Sequence, residues 1–296
     1  MRRVALLACL FALVGAVGAN AQTPAPRSLA PFTGLGAWVS IYDGKAWADP
    51  EGTVAALLDH GVQTLFLETG NYRQRTDLVR PAGIDRFLAA AHAADIRVVA
   101  WYLPSLAKPS VDLRRSLAAI RLVTPDGDRF DGFALDVEAT TVRSIALRNS
   151  RAAALAQSIR RAAPTTLPLG AIVIAPIGNS PTYWPSFPYR ALSKFVDVLL
   201  PMAYFTARTH GAAGVRSYVV ATMRYVRAQT TPTFPIHLVG GLTTRAKQAE
   251  VQAFSSETAA CGAIGGSLWE YGTQTAAQWK TIAPFAALTA PAGAPC

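Results

Sequence analysis

DGFALDVEA, residues 131–139, is apolar enough to form a buried strand, yet it carries Asp136 and Glu138 two residues apart near its end. Side chains of a strand alternate between faces, so Ala134, Asp136 and Glu138 share one face while Phe133, Leu135 and Val137 share the other. A carboxylate taken out of water costs several kcal/mol unless it finds partners. Two of them on one face of a buried strand therefore need a reason, which must come from the surrounding chain.

Outward from this stretch the pattern is regular. Short apolar runs rich in β-branched and aromatic residues recur as GAWVSIYD (36–43), QTLFLETG (63–70), IRVVAWYL (96–103), FDGFALDVE (130–138), LGAIVIAP (169–176), VDVLLPMAYF (196–205), IHLVGGLT (236–243) and AIGGSLWEYG (263–272). Between them lie stretches of helical period such as IDRFLAAAHAADI (84–96), RNSRAAALAQSIRRAA (148–163) and RSYVVATMRYVRA (216–228). Strand–helix alternation means parallel strands with helices outside. Eight repeats over roughly 250 residues predict a single-domain α/β chain, a (β/α)8 barrel spanning 33–288. A doubly wound open sheet is the competing reading, but the first strand lacks its glycine-rich phosphate turn. Residues 22–32, QTPAPRSLAPF, read as a Pro-rich lead-in, and 289–296 as a tail.

Chemistry in such barrels sits at the C-terminal ends of the strands. There the sequence places Tyr42 and Asp43, Glu68 and Asn71, Trp101 and Tyr102, Asp136 and Glu138, Met202 and Tyr204, and Trp269, Glu270 and Tyr271. Acids and aromatics gathered at one mouth suit carbohydrate, since aromatic faces stack on sugar rings and carboxylates handle hydroxyls and protons. Crowded carboxylates in a low-dielectric pocket resist being charged together, and the outer one, Glu138, is expected to keep a proton and act as a general acid.

DGFALDVE resembles the fourth-strand motif of glycoside hydrolase family 18, the chitinases and endo-N-acetylglucosaminidases, which reads Asp-Gly-x-Asp-x-Asp-x-Glu. The resemblance implies that Glu138 is the acid/base and that Asp136 orients the 2-acetamido group of the substrate for attack on its own anomeric carbon. Tyr204 in LLPMAYF matches the tyrosine that steadies this group, and Trp269 in GGSLWEYG resembles the tryptophan that floors the sugar pocket. There are departures. Ala134 stands where that family has its innermost aspartate, strand three lacks Ser-x-Gly-Gly, and Phe205 follows the tyrosine where an aspartate is often found.

A two-carboxylate mechanism stays open, with Glu138 paired across the mouth to Glu68, Asp43 or Glu270. Glu68 is the preferred second acid, because period two sends Trp269 and Glu270 to opposite faces. Tyr102 and Tyr42 join Trp269 and Glu68 as expected substrate contacts, although only one of the adjacent Trp101 and Tyr102 can face the pocket. Trp184 is either a loop platform or a packed residue. His60, His92 and His237 read as surface or packing residues, and PDGDRFD (125–131) as a polar turn at the opposite end.

The start, MRRVALLACLFALVGAVGANAQ, has the charged end, short apolar stretch and Ala-Asn-Ala cleavage site of a secretory signal covering residues 1–21. A secreted or periplasmic protein with no membrane span is therefore expected. The net charge of +10 is spread without a dense basic run, which speaks against nucleic acid. Cys261 and Cys296 are left as a candidate disulfide in an oxidising compartment. No HExxH, GxSxG or Walker-type string occurs, so no metal or other cofactor is expected. The expected function is a monomeric glycoside hydrolase working on a polysaccharide or cell-wall glycan that contains acetamido sugars. A catalytically silent glycan-binding barrel is the alternative, favoured by Ala134.

Overall fold

The computed structural model describes residues 27–178, 183–290 and 296. The expected signal segment lies outside the described residues. Eight strands, β1 (Gly34–Val39), β2 (Thr64–Asn71), β3 (Arg97–Leu103), β4 (Gly132–Val137), β5 (Leu169–Ile174), β6 (Val198–Met202), β7 (His237–Leu242) and β8 (Gly265–Trp269), pair in parallel and in chain order. β1 also pairs with β8, through Gly34 opposite Gly265 and Leu35 opposite Gly266, and this closes the barrel. The open-sheet alternative is thereby excluded.

Outside the ring lie α1 (Gly44–Ala48), α2 (Pro50–Asp59), α3 (Pro81–Ala93), α4 (Pro109–Arg121), α5 (Ile145–Ala162), α6 (Tyr189–Leu192), α7 (Gly211–Gln229), α8 (Gln248–Ala260) and α9 (Ala276–Ile282). Local chemistry sets where several of them start. Pro50, Pro81 and Pro109 open α2, α3 and α4, where a missing N–H costs nothing. Asp49, Ser144 and Thr275 cap α2, α5 and α9 with side-chain oxygens. Among the described residues no helix is long and apolar enough to cross a membrane.

Alternation along each strand makes two cores. Residues such as Leu65, Leu135 and Leu199 pack outward against Phe87, Val219 and Phe254 of the helices. Their neighbours Phe66, Trp38, Val99, Ala134, Ile172, Leu200 and Val239 fill the interior of the ring. The floor of that interior is Phe32. Residues 22–32 are therefore not wholly a lead-in, because a 3-10 turn, Ala30–Phe32, drives the fully buried Phe32 ring up between the strands. The hollow that receives it is built from missing side chains: a Cβ on Gly170 would come within 2.7 Å of the Phe32 ring, and one on Gly265 within 2.7 Å of the Phe32 carbonyl. That carbonyl bonds His237 Nδ1 at 3.0 Å, and His237 Nε2 meets Ser267 Oγ at 2.9 Å. His237 is thus a packed strand residue, with its pKa pushed down to about 4 by burial.

At the same end the polar turn before β4 is fastened by His92 of α3. Its ring nitrogens lie 2.7 Å from Asp128 and 3.1 Å from Asp131, and Asp131 also accepts the Val98 N–H at 2.8 Å. The tail is tied down as well: Cys261, at the end of α8, is joined to Cys296 by a disulfide, and Arg224 Nε donates to the Cys296 carbonyl at 2.6 Å.

Candidate active site

The interior of the ring opens where the strands end, in a cleft of about 230 Å³. Its floor is aromatic. Trp38 stacks on Phe66 at 4.3 Å between ring centres, and Trp101 and Trp269 each stand about 6 Å from it, edge-on or tilted. Trp38 Nε1 donates to Ser267 Oγ at 2.8 Å, which fixes this ring from below. The Trp101 indole nitrogen is buried without a hydrogen-bond partner, a donor left over for whatever fills the cleft.

The wall is acidic. Asp136 and Glu138, at the end of β4, face Glu68 from β2, with Tyr204 following β6. Glu68 is only 1% exposed and is held on both oxygens, by the Ile41 N–H at 2.9 Å and the Asn71 amide at 3.2 Å. A register shift between Glu68 and Gly70 against β3 lets both Glu68 and Asn71, three apart, line the same cleft. Burial pushes Glu68 up to about 7, and the neighbouring Glu138 and Glu270 add to the rise. Asp136, 5% exposed, is raised well above the carboxylate range by burial first and then by the charges of Glu138 and Glu68. Its Oδ1 has no hydrogen-bond partner, and no guanidinium neutralises it among the described residues.

Glu138 is also raised by burial, with the Arg73 guanidinium pulling it back. The expectation that the outer acid holds the stronger claim on the proton meets a deeper burial at Asp136. Desolvation is harsher at Asp136, and only Glu138 feels a cation, so the proton kept by the pair resides on Asp136. Tyr204 is raised by burial and by the charges of Asp136 and Glu138, so its hydroxyl stays protonated as a donor.

The cleft brings together Glu138, Asp136, Tyr204, Trp269, Glu68 and Tyr42, the last at the rim and 66% exposed. Tyr102 does not join them. Its hydroxyl bonds Asp112 of α4 at 2.8 Å in the layer between sheet and helices, so Trp101 is the inward residue of β3. Trp184 is a packed residue, sandwiched by Arg148 and Phe187, whereas its exposed neighbour Tyr183 reaches the mouth and bonds the Glu138 carbonyl at 3.0 Å. His210 is exposed and lies off the cleft. Glu270, joined to Trp269 by a cis peptide bond, does not line the cleft and stands by Ser40 and Asp43. Trp38, Ser40 and Tyr183 were missed by the sequence reading. Trp38 and Ser40 were legible as the inward phase of GAWVSIYD once Gly36 is taken as inward, but Tyr183 had no signal beyond its loop.

No family model and no curated protein matches the chain. Solved structures do. The chitinase of Chromobacterium violaceum superposes with a TM-score of 0.60 at 12% identity, over 86% of this chain and 99% of that one. The spore cortex-lytic enzyme SleL of Bacillus cereus gives 0.62 at 10%, over 84% and 73%. An endo-β-1,4-mannanase of Thermotoga petrophila gives 0.67 at 10%, over 86% and 76%. Likeness at this identity speaks to architecture: the chain shares its (β/α)8 barrel fold with these enzymes.

Proposed function

We propose that this barrel is a secreted glycoside hydrolase that cleaves acetamido-sugar glycans, with Glu138 as acid/base and Asp136 and Tyr204 positioning the acetamido group. One observation carries the reading: buried carboxyls with elevated proton affinity, and among the described residues no cation paired with Asp136, face an aromatic floor in a cleft at the strand ends of the barrel. A purely structural pair of acids in this position is normally neutralised by an Arg or by backbone amides.

The electrostatics suggest how the cycle starts. An acetamido N–H donated to Asp136 stabilises its carboxylate form and leaves the proton of the pair to Glu138. Glu138 gives that proton to the glycosidic oxygen as the bond to the anomeric carbon breaks, while the acetamido carbonyl oxygen bonds to that carbon. Tyr204 donates to the acetamido oxygen. Water then opens the cyclic intermediate, with Glu138 taking a proton back. Glu68 serves as a further carboxyl coupled to the pair from β2, in a site where β4 has Ala134 at its inner position. The disulfide at Cys261 fits an oxidising compartment, in agreement with the signal-like N-terminus.

The glycan-binding alternative draws on Ala134 and on the unbonded Asp136 Oδ1. Acetamido-sugar oligomers incubated with wild type and Glu138→Gln separate the two. Hydrolysis by wild type, reduced roughly 10²–10⁴-fold in the variant with binding retained, supports the enzyme. Binding without hydrolysis by wild type supports the binding protein, and undiminished hydrolysis by Glu138→Gln refutes the assigned role.

A further inference from the structure

Charge is divided between the two ends of the barrel. The loops that follow the strands and surround the cleft carry eight Arg and Lys residues, all exposed, among them Arg73, Arg75, Arg143, Arg208 and Arg245. Among the described residues none of the eight lies within 4.0 Å of a carboxylate. The acids of the same loops are occupied: Asp77 pairs with Arg114 at 2.8 Å, Asp43 caps α1, and Glu138 and Glu270 are partly buried. The loops at the other end reverse the balance, with five aspartates against Arg27, Arg129 and Lys194, although Asp128 and Asp131 are paired with His92, and Asp197 with Arg160 and Arg27. An overall basic composition alone does not produce such a polarity.

Two of the mouth cations flank the cleft, one after β2 and one after β6. Arg73 follows β2, donates to the Tyr72 hydroxyl at 3.1 Å, and its charge reaches Glu138. Arg208 lies on the far side, in a second hollow of about 170 Å³ that shares Glu138, Met202 and Tyr204 with the cleft and adds Tyr183. Its guanidinium donates to the Gly178 carbonyl, which orients it. Glu138 therefore sits on the partition between two adjoining hollows, with a cation at each approach. Asp136 and Glu68 oppose this field less than exposed carboxylates do, because burial raises the proton affinity of both. A neutral chain gains nothing from the collar, whereas an anionic one is drawn in and held at both ends.

We infer that the substrate is an acetamido-sugar polymer bearing carboxylates along its length, received by Arg73 and Arg208 on either side of the bond held over Glu138. This rests on the glycan reading above and selects within it, against uncharged chitin-like chains. The test uses the full-length Glu138→Gln protein, so that binding is read without turnover. The probes are glycan strands in which every second acetamido sugar carries a lactyl carboxylate, and the same strands with those carboxyls reduced to alcohols. Charged strands bind about ten-fold tighter at low salt, and the preference shrinks at high salt. Adding Arg73→Ala and Arg208→Ala brings the two affinities close to parity, whereas Arg121→Ala, on the opposite face, keeps the preference. Equal affinities in the parent, binding of neither probe, or a preference that survives the double substitution or high salt overturns the inference. Wild-type turnover separates the two levels. Cleavage with no charge preference removes this inference and leaves the hydrolase, while charge-selective binding without cleavage removes the hydrolase and leaves this inference.

Discussion

Substituting His92 by glutamine cuts a clasp at the end of the barrel opposite the cleft, and its effect is pH-dependent in a calculable way. The imidazole meets Asp128 at 2.7 Å and Asp131 at 3.1 Å, and Asp131 in turn holds the Val98 N–H at the start of β3. The hydrogen bond to Asp131, with Asp128 adding to it, raises the His92 pKa to about 9, against 6.5 for a free histidine. That difference corresponds to a gross ~3 kcal/mol favouring the folded state. The His92 side chain is 28% exposed, and solvent screening cuts the usable part to ~1–2 kcal/mol. Because the folded pKa is the higher one, the contribution is complete below about pH 6.5 and disappears as pH rises through about 9. Thermal unfolding followed by circular dichroism at pH 6 and pH 10, buffers chosen to bracket that window, reads it directly. At the lower pH the His92→Gln midpoint falls below wild type by roughly 2–8 °C for a domain of this size. At the higher pH the gap largely closes. A gap of equal size at both ends of the range refutes the clasp and reduces His92 to an ordinary packed residue.

Two further outcomes follow from the site and the tail. Glu68→Gln removes a charge two strands from Asp136, about 10 Å along the barrel wall, where a unit charge at an effective dielectric near 20 is worth ~1.7 kcal/mol. The basic limb of the kcat/KM profile then moves down by about one pH unit, only above about pH 7 where Glu68 is ionised, and a limb that stays put contradicts the coupling. Replacing Cys261 and Cys296 by serine opens a loop of sequence separation 35, which costs ~3–4 kcal/mol on chain-entropy grounds and lowers the thermal midpoint. Reductant lowers the wild-type midpoint by the same amount, and a midpoint indifferent to reductant dismisses this role for the bridge.

The parts of the site that could be read in advance are those whose strand phase is marked by polarity. In β4 the acids themselves mark the inward face, so alternation alone puts Asp136 and Glu138 on the side that lines the cleft. In β3 both faces are apolar and VVAWYL offers no mark of phase, so the expected contact Tyr102 points to the helices and Trp101 faces the cleft. The choice is made by pairing with β2 and by Asp112, ten residues on, which offers the tyrosine hydroxyl a buried acceptor. Tyr183 and Trp184 show the same limit in a loop, where no period exists to assign one to solvent and the other to packing.

Strand–helix alternation, the length and apolar character of each strand, and the rule that barrel chemistry gathers at strand ends are local or periodic properties, so the sequence alone determined the barrel and which end carries the acids. Only the tertiary structure decided what depends on closure: Phe32 rising into glycine-lined space as the floor, Glu68 brought from β2 to face Asp136, the proton drawn to the deeper acid, and a ring of cations assembled from separate loops. These arrangements join residues tens to hundreds of positions apart, and their energies depend on burial and distance, quantities that exist only once the chain has folded.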